Sequence, residues 1–156
     1  MTSQPPLHGE DDRLQVAALC WRKHPILEVL LVTSLSTKRW IVPKGWPHPG
    51  LSLAQSAARE AQEEAGVTGM IEPAPLGSYH YLKEKGDSHL PCRVEVFALA
   101  VSGQQHFWPE KGARELLWLP AGEALKRVSE PGLRPILQAF RKDHAVGGAP
   151  LRRRGG

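Results

Sequence analysis

Two cysteines, Cys20 and Cys92, are all that the 156 residues supply, too few for a disulfide-stapled scaffold. Both sit in apolar, strand-like stretches, where a cysteine acts as a small buried hydrophobe. Apolar runs fall short of the ~18 residues a membrane span needs, so no membrane partner is expected. The N-terminal stretch, Met1 to Asp12, is polar, contains prolines and ends acidic, without the apolar centre of a signal peptide. Thiols without a secretory signal point to a reducing compartment, here the cytoplasm. There is no internal repeat, no zinc-ligand spacing and no RNA-binding sheet motif, so nucleic acid is not an expected partner.

What is present describes one ordinary globular unit. A hydrophobic fraction of 41% and a charged fraction of 23% exclude general disorder, and the length suits a single domain with its own core. The formal charge of +4 and sequence pI of about 9.3 favour anionic partners. Part of that excess lies in Arg152, Arg153 and Arg154, read as a solvated tail in preference to a nucleic-acid contact. The expected organisation is a flexible segment at 1–12, a folded domain at 13–144 and a disordered basic tail at 145–156.

Strands are expected at Leu14 to Trp21 and at Ile26 to Thr33. The second is almost continuously apolar and therefore central. Arg39 to Val42 forms a short third strand stopped by Pro43. Pro43 to Gly50 (PKGWPHPG) holds three prolines and two glycines, which neither a helix nor a central strand tolerates, so it reads as a shaped loop. A helix follows: Ser52 caps it, Gln55 completes a capping box, and Gly66 ends it. Leu53, Ala54, Ala57, Ala58, Ala61 and Ala65 give that helix its apolar side. Further strands are expected at Leu76 to Leu82, Arg93 to Val101 and Glu115 to Leu119, then helices at Gly122 to Val128 and Leu133 to Asp143. That order predicts a mixed sheet covered by helices.

The chemically informative segment is Arg59-Glu60-Ala61-Gln62-Glu63-Glu64. Helical geometry puts Glu60, Glu63 and Glu64 three and four residues apart, along one edge and opposite the alanine side. Like charges at that spacing repel, and a solvated acidic face is the plainer alternative. A hard divalent cation reverses the argument, because Mg²⁺ and Mn²⁺ take carboxylate oxygens together with phosphate. Arg59 is placed to pair with Glu63.

Gly45 to Val67 resembles the Nudix box, Gly-x5-Glu-x7-Arg-Glu-U-x-Glu-Glu-x-Gly-U with U aliphatic. Gly45, Arg59, Glu60, Ala61, Glu63, Glu64, Gly66 and Val67 occupy the matching positions, whereas Leu51 stands where the first glutamate belongs. Ala17-Ala18-Leu19-Cys20, Glu28 to Ser34 and Arg39 to Pro43 add a similarity to diphosphoinositol polyphosphate phosphohydrolases and their bacterial relatives. The resemblance implies an α+β fold of Nudix type, an α/β/α sandwich with a mixed sheet, and a Mg²⁺- or Mn²⁺-dependent hydrolase that cleaves a phosphoanhydride. It implies metal ligation by Glu60, Glu63 and Glu64 with the Gly45 carbonyl, and places Arg59 among the catalytic residues. Water activation falls to Glu63 or to a carboxylate outside the box, with Glu95, Glu84 and Glu110 as candidates. Lys44, Arg39 and Lys38 are the expected phosphate-binding cations, ahead of Arg93 and Arg114. Trp46 either stacks on a base or braces its loop.

The implied substrate is a phosphorylated small molecule: a nucleoside polyphosphate, a dinucleoside polyphosphate or a diphosphoinositol polyphosphate. Leu51 motivates the alternative of a Nudix-fold module that binds ligand without turning it over; otherwise it implies altered metal use with activity retained. Deleting Leu151 to Gly156 is expected to leave hydrolysis within about twofold of the full chain, measured as initial rates; a strong loss would make the arginine tail part of the site.

Overall fold

The computed structural model describes residues 13–23 and 25–148. Its elements are β1 (Arg13–Lys23), β2 (Leu27–Thr33), β3 (Trp40–Ile41), β4 (Lys44–Gly45), α1 (Leu53–Ala65), β5 (Val67–Ile71), β6 (Gly77–Lys85), β7 (Ser88–Gln104), β8 (Leu116–Pro120), α2 (Ala121–Arg127) and α3 (Leu133–Gly148). All eight strands join one sheet with the main path β3-β2-β1-β7-β5, while β4 adds to β1, β6 to β7 and β8 to β2. The β1–β7 pairing is parallel, from Arg13↔Cys92 to Trp21↔Ala100. The other pairings are antiparallel, so the sheet is mixed as expected.

The centre of β1, Val16 to Cys20, is buried on both sides of the sheet, which explains its unbroken apolar sequence. Alternation sends Val16, Ala18 and Cys20 toward α1, where they meet Leu30, Val32, Phe97, Leu99 and the helix alanines. Ala17 and Leu19 face the other way, into a cluster with Val29, Leu31, Val94 and Val96 that α2 and α3 cover through Ala124, Leu133, Leu137 and Phe140. The result is an α/β/α sandwich with the site helix on one side and the two C-terminal helices on the other.

Helix α1 begins and ends where its sequence directs. Ser52 Oγ accepts from Gln55 N at 3.0 Å, Gln55 Oε1 accepts from Ser52 N at 2.9 Å, and Gly66 closes the helix in the left-handed region at φ 73°. Ala57, Ala61 and Ala65 are fully buried; their short side chains let the helix lie close to the sheet.

Two strands escaped the sequence reading. β4 lies inside the Pro-rich stretch taken as pure loop: Val16↔Gly45 and Ala17↔Lys44 pair, and Pro43 extends the ladder through its carbonyl, which accepts from Ala18 N at 3.0 Å. Proline lacks a donor, not an acceptor. β5 was obscured by Gly69. A bulge between Thr68 and Gly69 shifts its register on β7, and a Cβ at Gly69 would lie 1.9 Å from the Ala100 carbonyl oxygen, so the glycine is what permits the close pairing. At the C-terminal end α3 runs to Gly148, past Asp143 and into the segment 145–156 expected to be disordered. The rest of that segment, the segment 1–12 and the Arg152–Arg154 expectation lie outside the described residues.

Removing the cap hydroxyl tests the α1 entrance. Ser52→Ala should cost about 1 kcal/mol of unfolding free energy, read from chemical denaturation. An unchanged midpoint would mean the capping box does not hold the helix start.

Candidate active site

The site grows from the contact between β4 and α1. Gly45 lies against the Glu60 carboxylate so closely that a Cβ there would meet Glu60 Oε1 at 2.3 Å; the glycine is the space the carboxylate uses. Just beyond, the Pro/Gly loop folds back onto the first turn of α1. His48 N donates to Ser56 Oγ at 2.9 Å and the His48 carbonyl accepts from Leu51 N at 3.1 Å. This clamp brings His48 Nε2 to 2.7 Å from Glu60 Oε2. Among the described residues, ligand atoms of His48, Glu60 and Glu63 all fall within 4.8 Å of one another.

Glu64 departs from the expectation that all three carboxylates point away from the alanine side. Its side chain is only 4% exposed, because its position on the helix borders Ala57 and Ala61, where the core begins. Arg114 Nη2 sits 3.5 Å from Glu64 Oε2, and Glu64 Oε1 has no hydrogen-bond partner among the described residues. Burial pushes the Glu64 carboxyl up to about 8; the Arg114 charge opposes the shift, while Glu60 and Glu110 reinforce it.

Arg114, an outlying phosphate-binding candidate in the sequence, is instead a buried strut. Its Nε donates to Glu110 Oε1 at 2.8 Å and its Nη1 to the Thr33 carbonyl at 3.0 Å. The same connection reaches the helix end, where Glu110 N donates to the Glu63 carbonyl at 3.0 Å and Gln105 N to the Gly66 carbonyl at 2.8 Å. A Cβ on Gly66 would meet the Trp108 ring at 2.3 Å. Glu110 is thus the one of the three out-of-box carboxylates that joins the helix carboxylates. Glu95 pairs with Arg93 on β7, and Glu84 lines a separate cleft at the β6–β7 hairpin.

That cleft, about 230 Å³, also takes in Lys44, Arg39, Tyr81, Lys83 and Glu130. Lys44 neighbours Gly45 but, by the strand's alternation, turns to the opposite side of the sheet. There it lies 3.2 Å from Glu130 Oε2 and 4.9 Å from the Tyr81 ring centroid, and Tyr79 Oη donates to the other Glu130 oxygen. Lys38 is exposed, at φ 58° in the Ser34–Arg39 turn, and does not line the cleft. Trp46 is 43% exposed beside Gly45.

Arg59 is exposed and lines a different cleft of about 290 Å³ between α1 and β5, with Leu51, Gln55, Gln62, Thr68 and Ile71. The expected Arg59–Glu63 pair is not formed among the described residues. Leu51 accordingly packs away from the carboxylates. The residue missed in the sequence is His48; the available signal was an imidazole between Pro47 and Pro49, three residues after the glycine that seats Glu60.

The donor set fits a divalent cation. Glu60 and Glu63 offer oxygens and His48 a nitrogen within a small radius, and Glu64 Oε1, when ionised, is a buried acceptor without a partner among the described residues.

The NUDIX domain family profile matches residues 12–140. The chain is 35% identical over 118 residues to Nudix hydrolase 12, mitochondrial, of Arabidopsis thaliana, covering 73% of this chain and 58% of that protein. It is 31% identical over 151 residues to diphosphoinositol polyphosphate phosphohydrolase 3-alpha of Mus musculus, covering 90% of this chain and 83% of that one. The chain therefore spans less than two thirds of the plant relative's length. Its fold is similar to the crystal structure of the C. elegans Ap4A hydrolase, with a TM-score of 0.61 at 21% identity over 85% of this chain and 98% of the other.

Glu64 gives a pH prediction for the metal-free protein. Its folded pKa of about 8 lies above the ordinary 4.5, so between these values the folded state holds a proton that the unfolded state has released. Stability contributed by this group is present below about pH 4.5 and is lost as pH rises to about 8. Glu64→Gln should flatten that decline and be the more stable protein at pH 8, as read by denaturant titration in chelator. Parallel pH profiles for both proteins would rule out the raised carboxyl.

Proposed function

Because the chain belongs to the NUDIX domain family, we propose that it is a divalent-metal-dependent hydrolase that cleaves a phosphoanhydride bond in a polyphosphorylated small molecule. The observation that carries this reading is the convergence of Glu60, Glu63 and His48 around one point, with buried Glu64 behind them and Gly45 beside them.

Each residue has a definite task. Glu60 and Glu63 hold the cation, with the Gly45 carbonyl as a further oxygen on β4. When bound, the ion supplies charge neutralisation on the diphosphate and polarisation of the attacking water. Glu64, held beside Arg114, is a further carboxylate ligand for the same cation. Glu110, held by Arg114 at the same end of the helix, is the second carboxylate within this network. Most catalysis of phosphoryl transfer is positioning and charge stabilisation, which suits a site whose side chains are braced by backbone hydrogen bonds. Arg59 faces the separate cleft beside α1, and its role in this reading is electrostatic, not as a partner of Glu63.

The substrate class follows from the cations. Arg39, Lys44 and Lys83 gather at one cleft, with Lys44 exchanging Glu130 for phosphate; Lys38 is an exposed cation of the neighbouring Ser34–Arg39 turn, outside that cleft, and Trp46, exposed beside Gly45, is open to stacking on a base. Together with the names of the relatives, this supports a nucleoside polyphosphate, a dinucleoside polyphosphate or a diphosphoinositol polyphosphate, and Mg²⁺ or Mn²⁺ as the ion. Among the described residues no helix is long and apolar enough to cross a membrane. The free, buried thiols of Cys20 and Cys92 fit a reducing compartment such as the cytoplasm. Leu51 supports one second reading, a ligand-binding module without turnover, since it removes an oxygen donor from the helix entrance.

Initial rates on a panel of the three substrate classes, with and without divalent ion, decide between them. We expect metal-dependent release of phosphate or nucleotide from at least one class, and a fall of at least tenfold to a hundredfold, in order of magnitude, in Glu64→Gln. Equal rates in the two proteins would exclude this site; ligand binding without turnover across the panel would favour the second reading.

A further inference from the structure

The presence of an imidazole among the carboxylates bears on which cation the site selects. His48 is not carried to Glu60 by chance of rotamer. Its backbone is fixed at both ends, by the His48 N to Ser56 Oγ bond at 2.9 Å and the Leu51 N to His48 carbonyl bond at 3.1 Å. Pro47 and Pro49 restrict the chain on either side. The side chain is 25% exposed and that of Glu60 12%, so the pair is shielded without being sealed from an entering ion.

The span of 4.8 Å among the His48, Glu60 and Glu63 ligand atoms is near the roughly 4 Å that separates ligands across one ion with bonds of about 2.0–2.2 Å. A second observation points to the same place: Glu64 is buried and lies close enough to Glu60 to share a hydrogen bond when protonated, so that once ionised its Oε1 has no partner among the described residues. A cation beside Glu60 would answer that acceptor.

Resting on the metal-hydrolase reading, we propose that His48 is a nitrogen ligand of the divalent site and that this chain selects a borderline cation, Zn²⁺, over Mg²⁺. Mg²⁺ favours a shell of oxygens in near-octahedral order and keeps its waters. Imidazole suits zinc and the other later transition metals, whereas Mn²⁺ shares the oxygen preference of Mg²⁺ and serves here as a paramagnetic probe of the site.

The full-length protein loaded with Mn²⁺ tests this by pulsed electron paramagnetic resonance, which reads nitrogen coupled to the ion without any turnover. The expected result is a ¹⁴N modulation that converts to a ¹⁵N pattern when histidine is isotopically labelled in the unmodified chain, and that disappears in His48→Ala. In competition titrations His48→Ala should lose at least about tenfold in Zn²⁺ affinity and less in Mg²⁺ affinity. Mn²⁺ bound with no nitrogen modulation would overturn the proposal while sparing the carboxylate site, leaving His48 as a hydrogen-bond partner of Glu60. A signal that survives in His48→Ala would assign the nitrogen to another histidine and also overturn it. If the native chain bound no Mn²⁺ at all, the metal-hydrolase reading would fall as well.

Discussion

Everything at the site depends on keeping like charges close on one helix. Two unit charges 4 Å apart repel by about 4 kcal/mol at an effective dielectric of 20, more than the roughly 1 kcal/mol a cap contributes. Helix propensity does not offset that, so the surrounding fold must. Three devices share the task. Gly45 gives the Glu60 carboxylate a seat with no Cβ in the way. Arg114 sets a positive charge between Glu64 and Glu110. The Glu64 carboxyl, its pKa pushed up by burial, gives up charge itself when no cation is present. Each is a substitute for what a divalent ion would do, and together they hold the site ready for one.

These devices tie distant parts of the chain to α1. The β1–β4 pairing fixes Gly45, and the parallel β1–β7 ladder fixes β1. The 105–114 segment closes the other end of the helix through Gln105, Trp108 and Glu110, while Arg114 carries the connection on to the Thr33 carbonyl at the end of β2. A perturbation of that segment would reach the carboxylates through backbone hydrogen bonds, with no direct contact to substrate required. The cationic cleft lies on the opposite side of the sheet from α1, with Lys44 and Gly45 as adjacent residues that serve the two sides.

How much of this was legible in the sequence follows from the range of the interactions. The start and stop of α1 rest on contacts within four residues, so Ser52, Gln55 and Gly66 announce them directly. The continuous apolar character of Val16 to Cys20 and of Val29 to Val32 announces central strands, and the Gly45 to Val67 spacing announces the family. What stayed hidden depends on tertiary approach. Glu64 turns inward because the sheet lies where it does, and a helical wheel without that sheet puts it with the solvated edge. Lys44 belongs to the cleft side because β4 pairs with β1, which a Pro-Lys-Gly sequence does not advertise. Arg114 is one arginine among many until Thr33, Glu64 and Glu110 surround it. His48 needed the fold of the Pro/Gly loop onto Ser56, and Arg59 faces a second cleft because no carboxylate holds it back.

The most direct measurement is an anomalous-scattering map from crystals of the full chain grown with Mn²⁺ and no substrate. The account requires a manganese peak within coordination distance of the Glu60 and Glu63 carboxylates, beside Gly45. A well-ordered map with those side chains in place and no peak there, or with manganese held only elsewhere, would contradict it.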